Sequence, residues 1–207
     1  MRTAVKICGV TRVEDALVAA GQGAHAIGLV FYRPSPRFVE ADAAAAIVRA
    51  LPPFVTAVGL FVDATEYDVR SMAARTGVQL LQFHGAETAE FCGRFDLPYM
   101  KAVRVRAGVD LLQYARDFRK AKALLLDAFQ EGLHGGTGAV FDWSLIPPAL
   151  PLPVVLSGGL TVDNVGEAIR RVRPYAVDVS SGVESRKGIK DAEKIAAFIR
   201  GVRDADV

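Results

Sequence analysis

Two residues with acid-base chemistry end apolar segments that lie far apart in the chain. Cys8 lies near the end of the apolar segment 5–9, and alternation along a strand would place its side chain on the same side as Lys6. A nearby ammonium favours a thiolate, which can act as a base or a nucleophile. Asp127 interrupts the aliphatic segment 124–128, where a buried carboxylate is costly unless it has a use. Cys8 and Asp127 are therefore candidate catalytic residues.

Both residues also have a purely structural interpretation. A free cysteine is most often a small buried apolar residue, and Cys8 could be one. Asp127 could cap the loop that follows it, because that loop contains four glycines between positions 132 and 138 and so offers backbone N–H groups. Position alone leaves both interpretations open.

Three further polar residues are candidates for binding a substrate. Arg37 lies in the segment 33–37, where two prolines stiffen the backbone, and a guanidinium is suited to holding a carboxylate. The alternative is an exposed solubilising charge. His84 follows an apolar segment, although a lone histidine is more often structural. Asp178 comes two residues before Ser180, so these two side chains share one face of a strand.

The elements that must position these residues alternate between strand and helix. Short β-branched and aliphatic segments recur about every two dozen residues, and most are followed by apolar residues at helical spacing. The predicted strands are 5–9, 26–31, 57–62, 78–83, 99–105, 123–128, 154–157 and 176–180. The predicted helices are 13–22, 41–51, 66–76, 111–118, 162–172 and 191–202. Thr11, Thr65, Thr161 and Asp191 are predicted to cap the N-termini of helices with their side-chain oxygens.

The strand pattern decides the fold class. Near-continuous apolar strands indicate burial on both faces, and alternation with helices indicates parallel pairing, in either a closed barrel or an open doubly wound sheet. Eight repeats favour the barrel. We therefore predict a single-domain (β/α)8 TIM barrel with eight parallel strands over residues 1–207, with its active groups at the carboxyl ends of the strands.

Two turns rich in glycine and serine follow the last two predicted strands. Gly158 and Gly159 follow the seventh strand, and Ser180 and Ser181 end and follow the eighth. A single Gly-Gly turn is weak evidence, since many such turns only require positive φ. The pair is more informative, because barrels commonly bind a phosphate through backbone N–H groups at these two strands. The expected partner is a small phosphorylated substrate.

Composition excludes several other classes of function. The formal net charge is +2 with acids and bases mixed along the chain, so we expect no nucleic-acid or anionic-lipid partner. Apolar runs are far shorter than the roughly 20 residues of a membrane span. Only two cysteines occur and no secretory signal is evident, so a cytoplasmic location is expected. The chain could be a monomer or a homodimer.

The sequence also predicts that no metal or cofactor is required. No arrangement of cysteine and histidine has the spacing of a zinc site, and no dinucleotide or P-loop glycine motif follows the first strand. The predicted chemistry therefore depends on side chains alone.

Several motifs in order along the chain resemble those of the phosphoribosylanthranilate isomerases, and the resemblance extends over nearly the whole length. Any one motif alone is unspecific, whereas the set is highly specific. The motifs are KICGVT at 6–11, GLVF at 28–31 with SPR at 35–37, QFHG at 82–85, GGTG at 135–138 with FDW at 141–143, LSGGL at 156–160 and DVSSGVE at 178–184.

The resemblance implies a cofactor-free (β/α)8 barrel that carries out an Amadori rearrangement of N-(5-phosphoribosyl)anthranilate. It implies that Cys8 is the general base and Asp127 the general acid. It further implies that the two turns hold the phosphate, that Arg37 meets the anthranilate end and that Asp178 lies near the sugar hydroxyls. Segment 184–191 departs from the family pattern because it lacks a proline, and Phe83 stands where leucine is more usual.

Two other functions compete with this one. An isomerase of histidine biosynthesis performs the same chemistry on a substrate with two phosphates, but it normally has aspartate at the position of Cys8, and no second phosphate loop is evident at 63–66 or 85–88. A catalytically silent barrel that binds a phosphorylated metabolite is the other alternative. The presence of both Cys8 and Asp127 argues against it.

Overall fold

Eight parallel strands form a closed barrel in the computed structural model, which describes residues 2–128 and 142–206. Each strand pairs with its neighbours in sequence, and β1 pairs with β8 to close the ring. The strands are β1 Ala4–Cys8, β2 Ala26–Val30, β3 Thr56–Phe61, β4 Leu80–Phe83, β5 Tyr99–Val105, β6 Ala123–Ala128, β7 Val154–Leu156 and β8 Ala176–Val179. The predicted fold is confirmed, with strand boundaries that differ by one or two residues.

Helices connect the strands of the barrel over most of the described chain. They are α1 Val13–Gln22, α2 Ala41–Ala50, α3 Glu66–Thr76, α4 Ala89–Cys92, α5 Leu111–Asp117, α6 Val165–Val172 and α7 Ala192–Ala205. Short 3-10 helices cover Trp143–Leu145 and Ser181–Val183. The sequence pattern did not predict α4, because a helix of four residues is too short to show a periodic apolar face.

A small hairpin follows the last barrel strand and was also not predicted. Its strands are β9 Glu184–Arg186 and β10 Ile189–Lys190, which pair antiparallel. Gly188 lies in the turn with φ of 80°, a left-handed conformation that glycine adopts without steric cost. This hairpin occupies the segment that lacks the expected proline.

Two of the four predicted helix caps are confirmed. The Thr65 hydroxyl accepts a hydrogen bond from the backbone N–H of Asp68 at 3.1 Å. Asp191 likewise accepts from the backbone N–H of Lys194 at 3.0 Å. Each side-chain oxygen satisfies a backbone donor that has no partner within the helix, which fixes where α3 and α7 begin.

The other two predicted caps are wrong, because their hydroxyl groups are not at the helix start. Thr11 donates its hydroxyl to the carbonyl of Gly188 at 2.6 Å, so it ties the first loop to the hairpin. Helix α6 begins after Asn164 rather than after Thr161. The Asn164 side chain accepts from the Thr161 backbone N–H at 2.8 Å, and this turn takes up the residues that were expected to be helical.

Alternation along the strands divides the buried residues into two populations. Outward-facing residues such as Phe61, Leu81 and Leu124 pack against the helices in the main core. Inward-facing residues at the amino-terminal half of the barrel form a separate apolar cluster. Its members are Val58, Met100, Ala102, Ala123, Leu125, Val155 and Ala176. The inward positions nearer the carboxyl ends of the strands carry most of the buried polar side chains, together with a small apolar cluster of Cys8, Val30, Leu60 and Val62, and these form the site described next.

Candidate active site

A cavity opens at the carboxyl ends of the barrel strands, where catalytic groups of this fold are found. It gathers ionisable side chains from strands that are distant in sequence. The lining residues are Cys8, Val30, Tyr32, Ser35, Arg37, Leu60, Val62, Gln82, His84, Asp127, Ser157, Asp178 and Ser180. The predicted residues Cys8, Arg37, His84, Asp127, Asp178 and Ser180 are thus brought together. Gly158, Gly159 and Ser181 lie in the loops directly beside them.

Lys6 and Asp178 form a buried ion pair beneath Cys8. Parallel pairing of β1 with β8 sets these two residues side by side, and the Lys6 Nζ lies 2.8 Å from Asp178 Oδ1. The side chains of both are about 5% exposed. Ser157 donates its hydroxyl to the other carboxylate oxygen at 3.3 Å. Asp178 therefore acts in the substrate-free protein as the counterion of Lys6.

Burial and a neighbouring charge have opposing effects on the pKa of the Cys8 thiol. Burial raises its pKa above the ordinary value, and the ammonium of Lys6 works in the other direction by favouring the thiolate. Burial also opposes the charge on Lys6, but Asp178 and Cys8 outweigh it and raise the pKa of Lys6. Lys6 and Cys8 are thus close enough to interact, as the sequence interpretation of the thiolate requires, and the net effect of their surroundings is to raise the pKa of the thiol.

Gly28 on the neighbouring strand makes room for this pair. A Cβ at this position would lie 2.8 Å from Cys8 Sγ and 2.9 Å from Lys6 Nζ, closer than carbon atoms approach in real structures. The close approach of the two functional groups therefore requires glycine at this point of β2.

Asp127 ends β6 and is only 4% exposed. Its Oδ2 lies 3.0 Å from His84 Nε2, and its Oδ1 accepts from the Ala128 backbone N–H at 2.9 Å. The second contact resembles the capping role considered from the sequence, although the glycine-rich loop of 132–138 lies outside the described residues. The carboxyl group faces the cavity with defined partners on both oxygens.

His84 follows β4 and is held by a second polar residue. Its Nδ1 lies 3.1 Å from the amide Nε2 of Gln82, a residue that is fully buried. From the sequence alone, a structural role for this single histidine is the alternative to substrate binding. Its position between Gln82 and Asp127 connects it directly to the proposed acid.

Arg37 is buried and makes a bidentate ion pair with Glu184. The Arg37 Nε and Nη2 lie 2.7 and 2.8 Å from the two carboxylate oxygens of Glu184. Lys190 Nζ lies 2.9 Å from Glu184 Oε1. Burial would raise the pKa of Glu184, but the hydrogen bond from Arg37 and the charge of Lys190 outweigh it, so that the pKa is lowered.

The alternative interpretation of Arg37 as an exposed charge is therefore wrong, because the side chain is only 10% exposed and is paired with a carboxylate. That carboxylate belongs to the protein itself. Sequence reasoning missed Glu184 and Lys190 as members of the site. The Arg37–Glu184 pair joins residues 147 positions apart, so no local spacing could have indicated it. Only the inclusion of Glu184 in the motif at 178–184 pointed toward it.

The two glycine and serine turns lie against each other at the end of the barrel. Gly158 and Gly159 have φ of 81° and 66°, and a Cβ on Gly158 would collide with the backbone N of Ala128. Asn164 donates its side-chain amide to the Gly159 carbonyl at 2.9 Å, which fixes the turn. A Cβ on Gly182 would collide with the Leu160 carbonyl, so the β7 and β8 turns are in direct contact.

The described ranges, 2–128 and 142–206, contain neither a metal-type cluster nor a membrane-spanning helix. No cluster of three or more histidine, cysteine, aspartate or glutamate residues in these ranges is arranged to hold a metal ion. None of the helices in the same ranges is long and apolar enough to span a membrane.

Fold and cavity together define the class of (β/α)8-barrel enzymes whose ionisable residues gather at the carboxyl ends of the strands. A family model described as N-(5'-phosphoribosyl)anthranilate (PRA) isomerase matches residues 5–201. The chain belongs to the N-(5'-phosphoribosyl)anthranilate isomerase family. The resemblance seen in the sequence motifs is thereby confirmed, and the isomerase of histidine biosynthesis is set aside.

Individual relatives agree with the family match. The chain is 58% identical to the N-(5'-phosphoribosyl)anthranilate isomerase of Dechloromonas aromatica, with 100% of this chain and 99% of the relative covered. Among solved structures, a phosphoribosyl anthranilate isomerase in complex with reduced 1-(o-carboxyphenylamino)-1-deoxyribulose 5-phosphate has a TM-score of 0.87 at 40% identity, covering 98% and 99% of the two chains. Monomers generated from the dimeric Thermotoga maritima isomerase give a TM-score of 0.85 at 37% identity, with the same coverage.

Proposed function

We propose that Cys8 is the general base and Asp127 the general acid of the family reaction. That reaction converts N-(5-phosphoribosyl)anthranilate into 1-(2-carboxyphenylamino)-1-deoxyribulose 5-phosphate, an Amadori rearrangement in tryptophan biosynthesis, and this chain is an isomerase of that pathway. One observation carries the assignment of roles. Cys8 and Asp127 are buried at the ends of β1 and β6 and line one cavity, in which Cys8 is the only cysteine among the described lining residues and the other carboxylate, that of Asp178, is paired with Lys6.

The rearrangement needs an acid first and a base second. Asp127 protonates the furanose ring oxygen, the bond from that oxygen to the anomeric carbon breaks, and the nitrogen lone pair forms a Schiff base. The Cys8 thiolate then removes the proton from the neighbouring carbon, and the electron pair of that C–H bond gives an enolamine. Tautomerisation of the enolamine yields the ketone. Acid and base act on different atoms of one ribose, so they must come from separate strands.

Lys6 supports the base in this mechanism. Burial opposes formation of the Cys8 thiolate, and the ammonium of Lys6 beneath it offsets part of that cost. Asp178 keeps Lys6 charged through the 2.8 Å ion pair. The sugar hydroxyls are proposed to lie near Asp178, whose second carboxylate oxygen can accept a hydrogen bond from them.

The remaining predicted residues hold the two anionic ends of the substrate. The phosphate is proposed to lie on the backbone N–H groups of Gly158, Gly159, Ser180 and Ser181, where the β7 and β8 turns meet. Arg37 is proposed to bind the anthranilate carboxylate through Nη1, because Nε and Nη2 are engaged by Glu184. His84 contributes through its contact with Asp127.

The first experiment follows the loss of anthranilate fluorescence when purified protein is mixed with freshly made N-(5-phosphoribosyl)anthranilate, with a metal chelator present. Rapid decay is expected. The variants Cys8→Ala and Asp127→Asn should each lower kcat by about 10² to 10⁴ while remaining folded, the usual contribution of a general acid or base. Cys92→Ala is the matched control and should leave the rate per folded molecule unchanged. Near-normal turnover by Cys8→Ala would show that Cys8 is not the general base.

We also propose that the chain forms a homodimer through the end of the barrel opposite the site. Phe54 precedes β3 and is 95% exposed, and Tyr175 precedes β8 and is 55% exposed. A groove at this same end is lined by apolar residues that include Ile146 and Leu152 and by charged residues that include Arg170 and Asp206. Exposed aromatic side chains beside a groove that carries both apolar and charged groups fit a self-complementary interface. Sedimentation should give a dimer, and Phe54→Glu should give a monomer.

Two broader expectations remain proposals. Residues 1–207 are proposed to form one domain, which is supported by the closure of one barrel and by the packing of α7 against α1. A cytoplasmic location is supported by the need to keep Cys8 as a free thiol, which a reducing compartment provides.

A further inference from the structure

A chain of three polar side chains leads from the buried wall of the barrel to the proposed acid. Gln82 is fully buried, and its Nε2 lies 3.1 Å from His84 Nδ1. His84 Nε2 in turn lies 3.0 Å from Asp127 Oδ2. All three residues line the cavity. Each link is of hydrogen-bond length, so the position of every proton in the chain depends on its neighbours.

The amide of Gln82 determines which nitrogen of His84 carries the proton. An amide nitrogen is a donor only, so His84 Nδ1 must accept from it and must be unprotonated. The neutral imidazole then has its proton on Nε2, the nitrogen that faces Asp127. In this tautomer, His84 donates to the carboxyl group and cannot accept a proton from it.

We propose that Gln82 is a positioning residue that holds His84 as a donor, so that His84 cannot accept the acidic proton of Asp127 and stabilises the carboxylate that remains when this proton goes to the substrate. This inference rests on the proposed role of Asp127 as general acid. Oδ2 accepts from His84 and Oδ1 accepts from the Ala128 backbone N–H, so a proton on the carboxyl group has no acceptor among these protein contacts. The ring oxygen of the substrate supplies the acceptor.

The opposite orientation of the Gln82 amide would have the opposite effect. Its carbonyl oxygen would then face His84 and require a proton on Nδ1. The neutral imidazole would present an unprotonated Nε2 to Asp127 and accept the proton that the reaction needs. The orientation of the Gln82 amide thus decides whether Asp127 gives its proton to the substrate or to His84.

The carbonyl oxygen of Gln82 is left without a partner among the described residues when the amide nitrogen faces His84. It is buried, and it has no hydrogen-bond partner within residues 2–128 and 142–206. A buried acceptor without a partner is unfavourable, and a donor that arrives with the substrate removes this cost. The substrate carries such donors in its ribose hydroxyl groups and its anthranilate N–H. Substrate binding would therefore stabilise the amide orientation that makes His84 a donor.

The acid step balances without proton transfer through His84. The Asp127 proton moves to the ring oxygen as the bond between that oxygen and the anomeric carbon breaks, and the nitrogen lone pair becomes part of the new C=N bond. Asp127 is left as a carboxylate that accepts from His84 and from the Ala128 backbone. The same donors that leave the acidic proton free thus stabilise the anion that forms when it departs.

The tautomer of His84 can be observed directly in the unmodified protein by ¹⁵N NMR with labelled histidine. The chain has three histidines, and the variant His84→Gln identifies the pair of signals that belongs to His84. We expect Nδ1 to appear as unprotonated and Nε2 as protonated at neutral pH. A proton on Nδ1 in the wild-type protein, with substrate analogue bound, would overturn the inference without any need for a Gln82 variant.

The variant Gln82→Met removes both polar atoms of the amide while keeping the length of the side chain. We expect kcat to fall by about 10- to 100-fold with little change in KM, and the His84 signals to indicate a mixture of tautomers. Gln79→Met is the matched control. Gln79 lies just before the same strand, and its Oε1 accepts from the Ala57 backbone N–H at 2.9 Å, away from the cavity.

The outcomes separate this inference from the function on which it rests. If Gln82→Met keeps wild-type kcat and an unchanged His84 tautomer while Asp127→Asn is inactive, Gln82 has no positioning role and the proposed acid stands. If Asp127→Asn is fully active, the proposed acid itself is wrong. If Gln79→Met loses as much kcat as Gln82→Met, the loss reflects the strand and not the amide, which also overturns the inference.

Discussion

The two halves of the barrel interior are built on the same strands, but only the half nearer the carboxyl ends gathers ionisable side chains around the cavity. On β6, Leu125 faces inward in the amino-terminal half and is fully buried, while Asp127 faces inward two residues later. On β8, Ala176 precedes Asp178 in the same way. The amino-terminal half, called the lower half from here on, stabilises the fold by burying apolar surface. The half at the carboxyl ends, called the upper half, must pair each buried charge with an opposite one. One strand therefore serves stability and function in successive inward positions.

The largest expected effect is a contrast between two substitutions on β6, one of which should lower activity and the other stability. Asp127→Asn should lower kcat by about 10² to 10⁴ with a small change in stability, because the amide cannot supply the acidic proton. Leu125→Ala should lower the free energy of unfolding by about 2–5 kcal/mol, because it leaves a cavity in the lower interior, with kcat of the folded fraction unchanged. Steady-state kinetics and urea unfolding of both variants measure the contrast.

Equal losses of activity and stability in the two variants would show that the halves of the interior are not separate. A useful control is Leu81→Ala, since Leu81 is fully buried but belongs to the outward-facing core. It should resemble Leu125→Ala in both measurements.

The next largest effect concerns the ion pair beneath Cys8. Lys6→Met leaves the Asp178 carboxylate buried without its cation, and we expect the free energy of unfolding to fall by about 3–5 kcal/mol. We also expect slower turnover, because the ammonium no longer favours the Cys8 thiolate. Chemical unfolding and kinetics at one pH measure both effects.

The control for Lys6→Met is a substitution in an ion pair at the protein surface. Arg70 and Glu66 approach to 2.9 Å on α3, with side chains 46% and 40% exposed. Arg70→Met should change stability by about 0–1 kcal/mol, since exposed pairs contribute little. A loss as large as that of Lys6→Met would indicate that burial does not set the difference.

The site was predictable from the sequence where its residues are marked by local patterns. Asp127 within an aliphatic strand and the paired turns at 158–159 and 180–181 are unusual in their immediate surroundings. Because the strands are parallel, residues at their carboxyl ends meet at one end of the barrel. The pairing of Arg37 with Glu184 depends on the closure of the barrel and on the hairpin, so no short-range signal indicates it. The cap at Thr11 was mispredicted because a tertiary contact with the Gly188 carbonyl takes its hydroxyl. The cap at Thr161 was mispredicted because a local turn, closed by the Asn164 side chain on the Thr161 backbone N–H, delays the start of α6.

A smaller effect is expected in how the free energy of unfolding depends on pH, which should differ between the two halves. Glu184 has a pKa below its ordinary value of 4.5, so it contributes stability that is present above that value and is lost as the pH falls through its lowered pKa. Glu184→Gln should lower the free energy of unfolding at pH 7 by about 1–3 kcal/mol, and the deficit should shrink below pH 4.5. Urea unfolding across this range measures it.

Val155→Ala is the comparison for Glu184→Gln from the lower half. Val155 is 4% exposed in the apolar cluster and carries no charge, so its deficit should be the same at every pH at which the protein folds. A deficit of Glu184→Gln that stays constant from pH 7 to pH 3 would show that the carboxylate charge is not what stabilises the hairpin against Arg37.

The smallest effect compares the two cysteines, one in the polar upper interior and one in the outer core. Burial raises the pKa of Cys8 above its ordinary value of 9.0, and it raises that of Cys92 to about 12. Since the thiolate is the species that reacts, alkylation of Cys8 by iodoacetamide should rise about tenfold per pH unit and still be rising at pH 9. Cys92 is fully buried and should not react in the folded protein. Mass spectrometry of each peptide distinguishes the two. A Cys8 rate that levels off below pH 8 would mean that Lys6 outweighs burial, and the empty site would then already hold its base in the ionised form.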